Sequence, residues 1–256
     1  MSATRDIHHD DPTVTMGGFR VAALDRQAAA RTMIAAGSAR RGRPLYFTSV
    51  NGEVIARASM DESIASLFAA ADQILADGQP LVLASRWLCR TPLPERVATT
   101  DLFHDVASLA EKSGATFYML GADDAENRKA VAAVRAAYPQ LRIVGHSHGY
   151  LTGAALDAKL AEIDRLAPDI LWLGLGVPLE QRFVRDFARR LPNVGLIKTS
   201  GGLFNFLSGK NRRAPRWMQR AGFEWLWRAL LEPRRLFWRY LTTNPRALYA
   251  ILRYSK

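Results

Sequence analysis

Short apolar runs that end in polar or glycine-rich residues alternate, along this chain, with longer stretches whose apolar positions recur every three or four residues. Runs of the first kind are LYFTSVN (45–51), ATFYMLG (115–121), LRIVGHSHGYL (141–151), DILWLGLGVP (169–178) and VGLIKTSGGLFNF (194–206). Each has the length of a buried strand and the punctuation expected at a strand's carboxyl end. Between them, residues 25–36, 60–71, 103–112 and 155–166 and the segment LEQRFVRDFARRL carry helical periodicity. DDAENRKAVAAVRAAYP predicts a helix capped by Asp123 or Asp124 and ended before Pro139. In QILADGQPLVLAS (73–85), Asp77-Gly78 predicts a tight turn between two apolar pieces. The recurring order strand, loop, helix predicts an α/β fold: a Rossmann-like, mostly parallel sheet with helices on both faces, with ligands at the carboxyl ends of its strands.

The two ends break this rhythm. Residues 1–18 are polar and predict a disordered lead-in. It contains His8, His9, Asp10 and Asp11, a run able to ligate a metal but read here as a solvated segment. After Gly209 the pattern changes to helix-compatible sequence punctuated by Pro215, Pro233 and Pro245, with four of the six tryptophans (Trp217, Trp225, Trp227, Trp238) interleaved with arginines. The organisation expected is a core over 19–209 and a basic, Trp-rich helical appendage over 210–256.

Composition sharpens this picture. At 256 residues and 48% hydrophobic content, the chain supports one sizeable core plus an appendage. The single cysteine, Cys89, excludes an intramolecular disulfide and a Cys-rich zinc site, so a reducing compartment is expected. The first residues lack the basic start and apolar run of a secretory signal, and a cytoplasmic protein is expected. Charges interrupt every apolar segment before the roughly 18 residues a spanning helix needs, so membrane contact is expected to be peripheral, on the inner face of the plasma membrane. The net charge of +11 is concentrated at one end: residues 210–256 hold ten arginines, Lys210 and Lys256 against only Glu224 and Glu232. Aromatic rings interleaved with arginines suit an anionic membrane surface, and Trp217, Trp225, Trp227 and Trp238 are the candidates to meet it. Apolar faces left uncovered without membrane predict a homo-oligomer, a dimer or trimer.

Familiar phosphate-binding motifs are absent: no GxxxxGK[ST], no GxGxxG, and Gly174-Leu175-Gly176 is too short to name a dinucleotide. His146 and His148 lack an acidic neighbour and read as loop hydrogen bonding rather than a metal pair. What remains is polar residues near strand ends: Ser49, Asn51, Asp77, Glu95, Arg96, Asp101, Glu180, Gln181 and Asn205. On these residues alone, Asp77-Gly78 is a turn and Arg96 a solvated loop arginine.

Taken in order, however, SVNGEV (49–54), ADG (76–78), LPERVATTDLF (93–103), FYMLG, YPQLRIVGHSHGY, WLGLGVPLEQRF, GGLFNFLSGKNRRAPRW and GFEWLWRALLEPRR resemble the WecG/TagA/CpsF glycosyltransferases, from about Val21 to Arg253. The resemblance implies an inverting transfer of N-acetylmannosamine, its uronic acid or a hexose from a UDP-sugar donor to a polyprenyl-diphosphate-linked glycan acceptor. It implies no cofactor and no metal. Asp77 matches the general base, and Ser49 and Asn51 match a T-x-N at a strand end that binds the donor or orients the base. Arg96 matches an arginine near the active site. Glu180 and Gln181 stand where the family commonly reads Gln-Glu, their order exchanged. Gly202 and Asn205 fall in the donor-binding loop, Asn205 where many relatives carry Asp. Arg228, Arg235 and Arg239 match appendage arginines that reach the leaving group. The donor sugar, the acceptor saccharide and the polymer pathway are not written in these residues, although the VPLEQ and NFLSG variants incline toward a hexosyltransferase of exopolysaccharide synthesis. Two rivals remain: a non-catalytic membrane scaffold and a nucleic-acid-binding protein, the latter opposed by a near-neutral core with no nucleic-acid motif.

Overall fold

The computed structural model describes residues 11–231 and 233–256, with the side chains of 228, 231 and 233–240 outside that description. The chain enters through an antiparallel hairpin, β1 (Thr13–Met16) and β2 (Phe19–Ala22), turned by Gly17-Gly18. Both glycines have positive φ, 55° and 88°, the backbone that a two-residue hairpin turn requires and a side chain resists. The expectation of disorder over 1–18 is therefore corrected for its described part. Val14 and Met16 are buried, Asp11 accepts a hydrogen bond from Gln73 Nε2 at 2.7 Å, and Thr15 exchanges backbone hydrogen bonds with Lys256. These partners lie far along the chain, so no local pattern announces them. His8, His9 and Asp10 lie outside the described residues.

From there the elements run α1 (Arg26–Ser38), β3 (Leu45–Val50), α2 (Gly52–Ala58), α3 (Glu62–Ala69), β4 (Gln73–Ala76), α4 (Gln79–Leu88), α5 (Thr99–Ser113) and β5 (Thr116–Gly121). They continue as α6 (Asp124–Ala137), β6 (Arg142–Ser147), α7 (Gly153–Leu166), β7 (Ile170–Gly174), α8 (Leu179–Phe187), β8 (Leu196–Thr199) and α9 (Leu203–Leu207). Side chains set several boundaries: Asp25 caps α1, Asn51 caps α2, and Asp123 caps α6, each accepting a backbone N–H of the first turn.

The six strands β4-β3-β8-β7-β5-β6 form one sheet, parallel throughout. Its central strands are continuous apolar runs because helices cover both faces. Alternate residues divide between the faces. Phe47, Phe117 and Trp172 meet Phe103 on one side, the Phe103 and Trp172 rings 4.9 Å apart. Tyr46, Tyr118 and Leu171 meet Phe183 on the other. Gly174, at the end of β7, is fixed by close approach: a Cβ there would lie 2.5 Å from the Phe204 ring.

The segment beyond 209 is helical: α10 (Arg216–Arg220), α11 (Glu224–Leu231) and α12 (Pro233–Tyr254). Packing crosses the compositional boundary. Ala250 and Ile251 of α12 join Val14, Val54, Ile55 and Leu81 in a third apolar cluster, and α12 lies along α2 and touches α4. Among the described residues no helix is long and apolar enough to cross a membrane.

Candidate active site

The neighbouring strands β4, β3, β8 and β7 end on the same edge, and their loops open onto a cleft of about 550 Å³. β3 brings Ser49 and, just past its end, Asn51, the β4–α4 turn brings Asp77 and Gly78, the β7–α8 loop leads to Glu180, the β8–α9 loop brings Ser200 and Gly202, and α9 brings Asn205. The appendage closes the remaining wall with Gly222, Glu224, Trp225 and Asn244. This is the sheet edge where an open α/β fold collects its ligands.

Asp77 is held from two sides. Thr99 N–H donates to Oδ2 at 3.1 Å, and Arg96 Nη2 stands 3.5 Å from Oδ1. Arg96 is no solvated loop arginine: its other arm meets Glu224 of α11 at 2.7 Å. Burial works against its charge, but Asp77, Glu224 and Asp101 outweigh that and hold its pKa above the ordinary value. Glu224 also faces Arg213 Nε at 3.5 Å, and Arg213 in turn pairs with Asp101 at 2.8 Å. One chain of alternating charges thus runs from Asp77, through the appendage, back to α5.

Beneath Asp77 lies a residue that the sequence reading passed over. Lys198, the third residue of β8, has no exposed surface. Its Nζ donates to Ser49 Oγ at 3.0 Å and to the Thr199 carbonyl at 2.7 Å, and Ser49 Oγ lies 3.4 Å from Thr99 Oγ1. Burial pushes the Lys198 ammonium down to about 8, opposed by the carboxylates of Glu180 and Asp77. Burial raises the pKa of Glu180, while the Gly201 N–H, Lys198 and Gln181 counter it. Glu180 Oε2 accepts from Gly201 N at 2.9 Å, which fixes the β8–α9 loop.

The other candidates separate. Asn51 sits in the cleft wall, but its Oδ1 is committed to the α2 cap, accepting from Val54 N at 3.0 Å. Gln181 is corrected as a cleft residue: it is buried behind the wall and donates to Glu180 Oε1 at 3.2 Å, so it braces its neighbour. The exchanged Glu-Gln order therefore places the carboxylate at the cleft and the amide in support. Glu95 lies away from the cleft, accepting from Arg26 N at 2.7 Å at the start of α1. The side chains of Arg228, Arg235, Arg239 and Trp238 lie outside the described residues. Of the remaining membrane candidates only Trp217 is largely exposed, at 66%. Trp227 is half-buried, and Trp225 turns into the cleft wall and packs against Ala229, because the face of α11 that carries Glu224 is drawn to Arg96. His146 is corrected as a loop residue: it lies in β6, and its ring bonds Asn127 at 2.8 Å.

Beyond Lys198, the sequence reading missed Arg57, Thr99 and Asn244 in the cleft wall, and Arg213 behind it. Glu224 stood in the GFEWLW segment as a mere motif letter; its buried neighbours give it a task.

Comparison with known proteins agrees with this geometry. The profile of the Glycosyl transferase WecG/TagA/CpsF family matches residues 14–256. The chain is 31% identical over 209 residues, 82% of its length and 79% of the relative's, to an N-acetylglucosaminyldiphosphoundecaprenol N-acetyl-beta-D-mannosaminyltransferase of Bacillus subtilis (strain 168). Proteins of the same name are 28% identical in Bacillus spizizenii, over 82% of this chain and 80% of that one, and 26% identical in Staphylococcus aureus (strain MRSA252), over 75% and 74%. A parallel α/β core, a polar cleft at its strand ends and a match over nearly the whole chain lead to one conclusion: the chain belongs to the WecG/TagA/CpsF family of glycosyltransferases.

Proposed function

We propose that the protein transfers a sugar of the N-acetylmannosamine or hexose type from a UDP-sugar to a polyprenyl-diphosphate-linked saccharide at the inner face of the plasma membrane, inverting the anomeric centre. The relatives' names support the acceptor class, and support N-acetylmannosamine as the first donor to try. Bacterial surface or exopolysaccharide synthesis is the setting.

The observation that carries this reading is Asp77, fixed by Thr99 and Arg96 in the wall of a cleft large enough for a nucleotide-sugar. The acceptor hydroxyl gives its proton to the Asp77 carboxylate while its oxygen attacks the anomeric carbon. The bond from that carbon to the diphosphate breaks, and UDP leaves with the electron pair. Charge then grows on the β-phosphate, and fixed cations stabilise it. Arg96 and Arg57, which line the cleft, take this part in the proposal together with Arg228, Arg235 and Arg239 of the appendage, and the proposed reaction uses no metal ion.

UDP release by the purified chain, with a polyprenyl-diphosphate-linked N-acetylglucosamine acceptor, tests the proposal. Donors to screen are UDP-N-acetylmannosamine, its uronic acid, UDP-glucose and UDP-galactose. Turnover with one donor, lowered on the order of a hundredfold or more in Asp77→Asn, is expected. Turnover that survives the substitution discards Asp77 as base. A folded protein that turns over none of these donors overturns the transferase reading in favour of a scaffold.

A further inference from the structure

We propose that the outer face of α4 is a membrane contact in its own right, a site for an anionic lipid surface on the core of the molecule rather than on its tail. Leu83, Arg86, Trp87 and Arg90 are all exposed, and their spacing of three, four and seven residues puts them on one side of the helix and its exit. Leu81, Val82 and Ser85 on the opposite side are buried. Trp87, at 90%, is the most exposed large apolar side chain among the described residues. An indole left in water contributes nothing to folding, whereas an aromatic ring flanked by two guanidinium groups is the composition that enters a lipid interface.

The surroundings favour lipid over a protein partner. α4 touches α12, and its first residues, Gln79 and Pro80, back onto Gly222 of the α10–α11 turn. At its other end Cys89 Sγ lies 3.4 Å from Met16 Sδ and 3.8 Å from the Thr15 carbonyl. Thr15 is the residue that pairs with Lys256, and the Gly18 N–H of the same hairpin donates to the Tyr254 carbonyl. The exits of α4 and α12 therefore meet on one hairpin. Near it stand Trp87 of α4 and Arg90 just beyond the helix, with the exposed Leu248, Tyr249, Leu252 and Arg253 of α12. Aliphatic, aromatic and basic groups alternate there without an acidic residue among them, the charge complement of an anionic bilayer.

The cleft gives this contact a purpose, and this step alone rests on the proposed function. α4 begins directly after Asp77-Gly78, and its ten residues span about 15 Å. A bilayer seated on Leu83 and Trp87 holds α4 along its plane and brings the base within about that distance of the surface that carries the acceptor.

Co-sedimentation of the full chain with vesicles of phosphatidylcholine, with and without phosphatidylglycerol, tests the contact. Leu83→Ser with Trp87→Ser is expected to weaken partition on the order of tenfold on both vesicles. Arg86→Gln with Arg90→Gln is expected to weaken it about fivefold per charge, and only where phosphatidylglycerol is present. All four side chains are exposed and outside the cleft, so turnover with a short-chain, water-soluble acceptor should match the parent chain. Wild-type partition by both variants overturns the proposal. So does partition that is unchanged while sedimentation velocity shows a dimer lost, which would make the face a contact between copies. Failure of the transferase reading shows separately, as no turnover by the parent chain on the soluble acceptor, and leaves the partition result standing.

Discussion

A lysine with no access to solvent is a costly residue unless its ammonium does something that a hydrocarbon could not. Lys198 can only donate, so Ser49 Oγ must accept from it. The Ser49 hydrogen then points elsewhere, to Thr99 Oγ1 or into the cleft, where it is an oriented donor for a phosphate or sugar oxygen. Loss of the Lys198 proton frees Ser49 to turn, so kcat/KM should fall as pH rises through about 8. Lys198→Met should lower kcat/KM on the order of tenfold at neutral pH and lose that alkaline limb; an unchanged limb would assign it to another group. Stability supplies an independent readout with a definite sign. Between about pH 8 and the ordinary 10.5, the unfolded chain binds more protons at this lysine than the folded one does. The wild type therefore gains stability relative to Lys198→Met as pH rises within that window. Urea unfolding of both proteins at pH 7.5 and pH 9 measures the difference.

At the scale of the element, the Glu224 carboxylate ties α11 to the cleft. Glu224 is shared by Arg96 and Arg213. Its removal leaves two cations facing each other across a half-buried space, a change that costs about 1–3 kcal/mol. Glu224→Ala should render residues 209–222 sensitive to limited proteolysis and raise KM for the donor more than it lowers kcat. A raised KM with no change in proteolysis would make Glu224 a ligand rather than a latch. The elements differ in how visible they were. β3, β5, β7 and β8 are legible because parallel strands covered on both faces must be apolar throughout. β4 is only four residues long and merged with the start of α4 into what read as two apolar pieces about a turn. α2 went unseen because Asn51 looked like a donor ligand and not like the cap that starts a seven-residue helix. The β1–β2 hairpin was written locally, as Gly-Gly between Val14, Met16 and Phe19, Val21, but its polar flanks suggested disorder. Asp77 and Ser49 were legible from strand ends and the family resemblance. Lys198 was not, since a basic residue inside an apolar run reveals its burial only when the sheet is assembled, and Glu224 acquires meaning only beside arginines from other parts of the fold.

For the whole molecule the tail does two separable things. It covers the third apolar cluster with Ala250 and Ile251 and completes the cleft wall with Glu224, Trp225 and Asn244. It also holds the excess of positive charge, since the first 209 residues are close to neutral. Cover is short-ranged and insensitive to salt, whereas attraction of exposed arginines to anionic lipid fades beyond a Debye length of about 8 Å at physiological ionic strength. The two contributions can therefore be taken apart. A chain ending at Gly209 bares Val54, Ile55 and Leu81 and loses one wall of the cleft. It should self-associate in sedimentation velocity and fail to turn over even a water-soluble acceptor. A full-length chain with Arg216, Arg220, Arg246 and Arg253 changed to Gln keeps the cover, because all four are exposed. It should remain as the parent chain is in solution and retain turnover on the soluble acceptor. It should also lose most of its partition to phosphatidylglycerol vesicles, about 1 kcal/mol for each charge removed. If the truncated chain turned over the soluble acceptor at the parent rate, the appendage would be a membrane anchor alone; if the four-arginine variant still bound anionic vesicles undiminished, the attraction would reside in apolar insertion and not in charge.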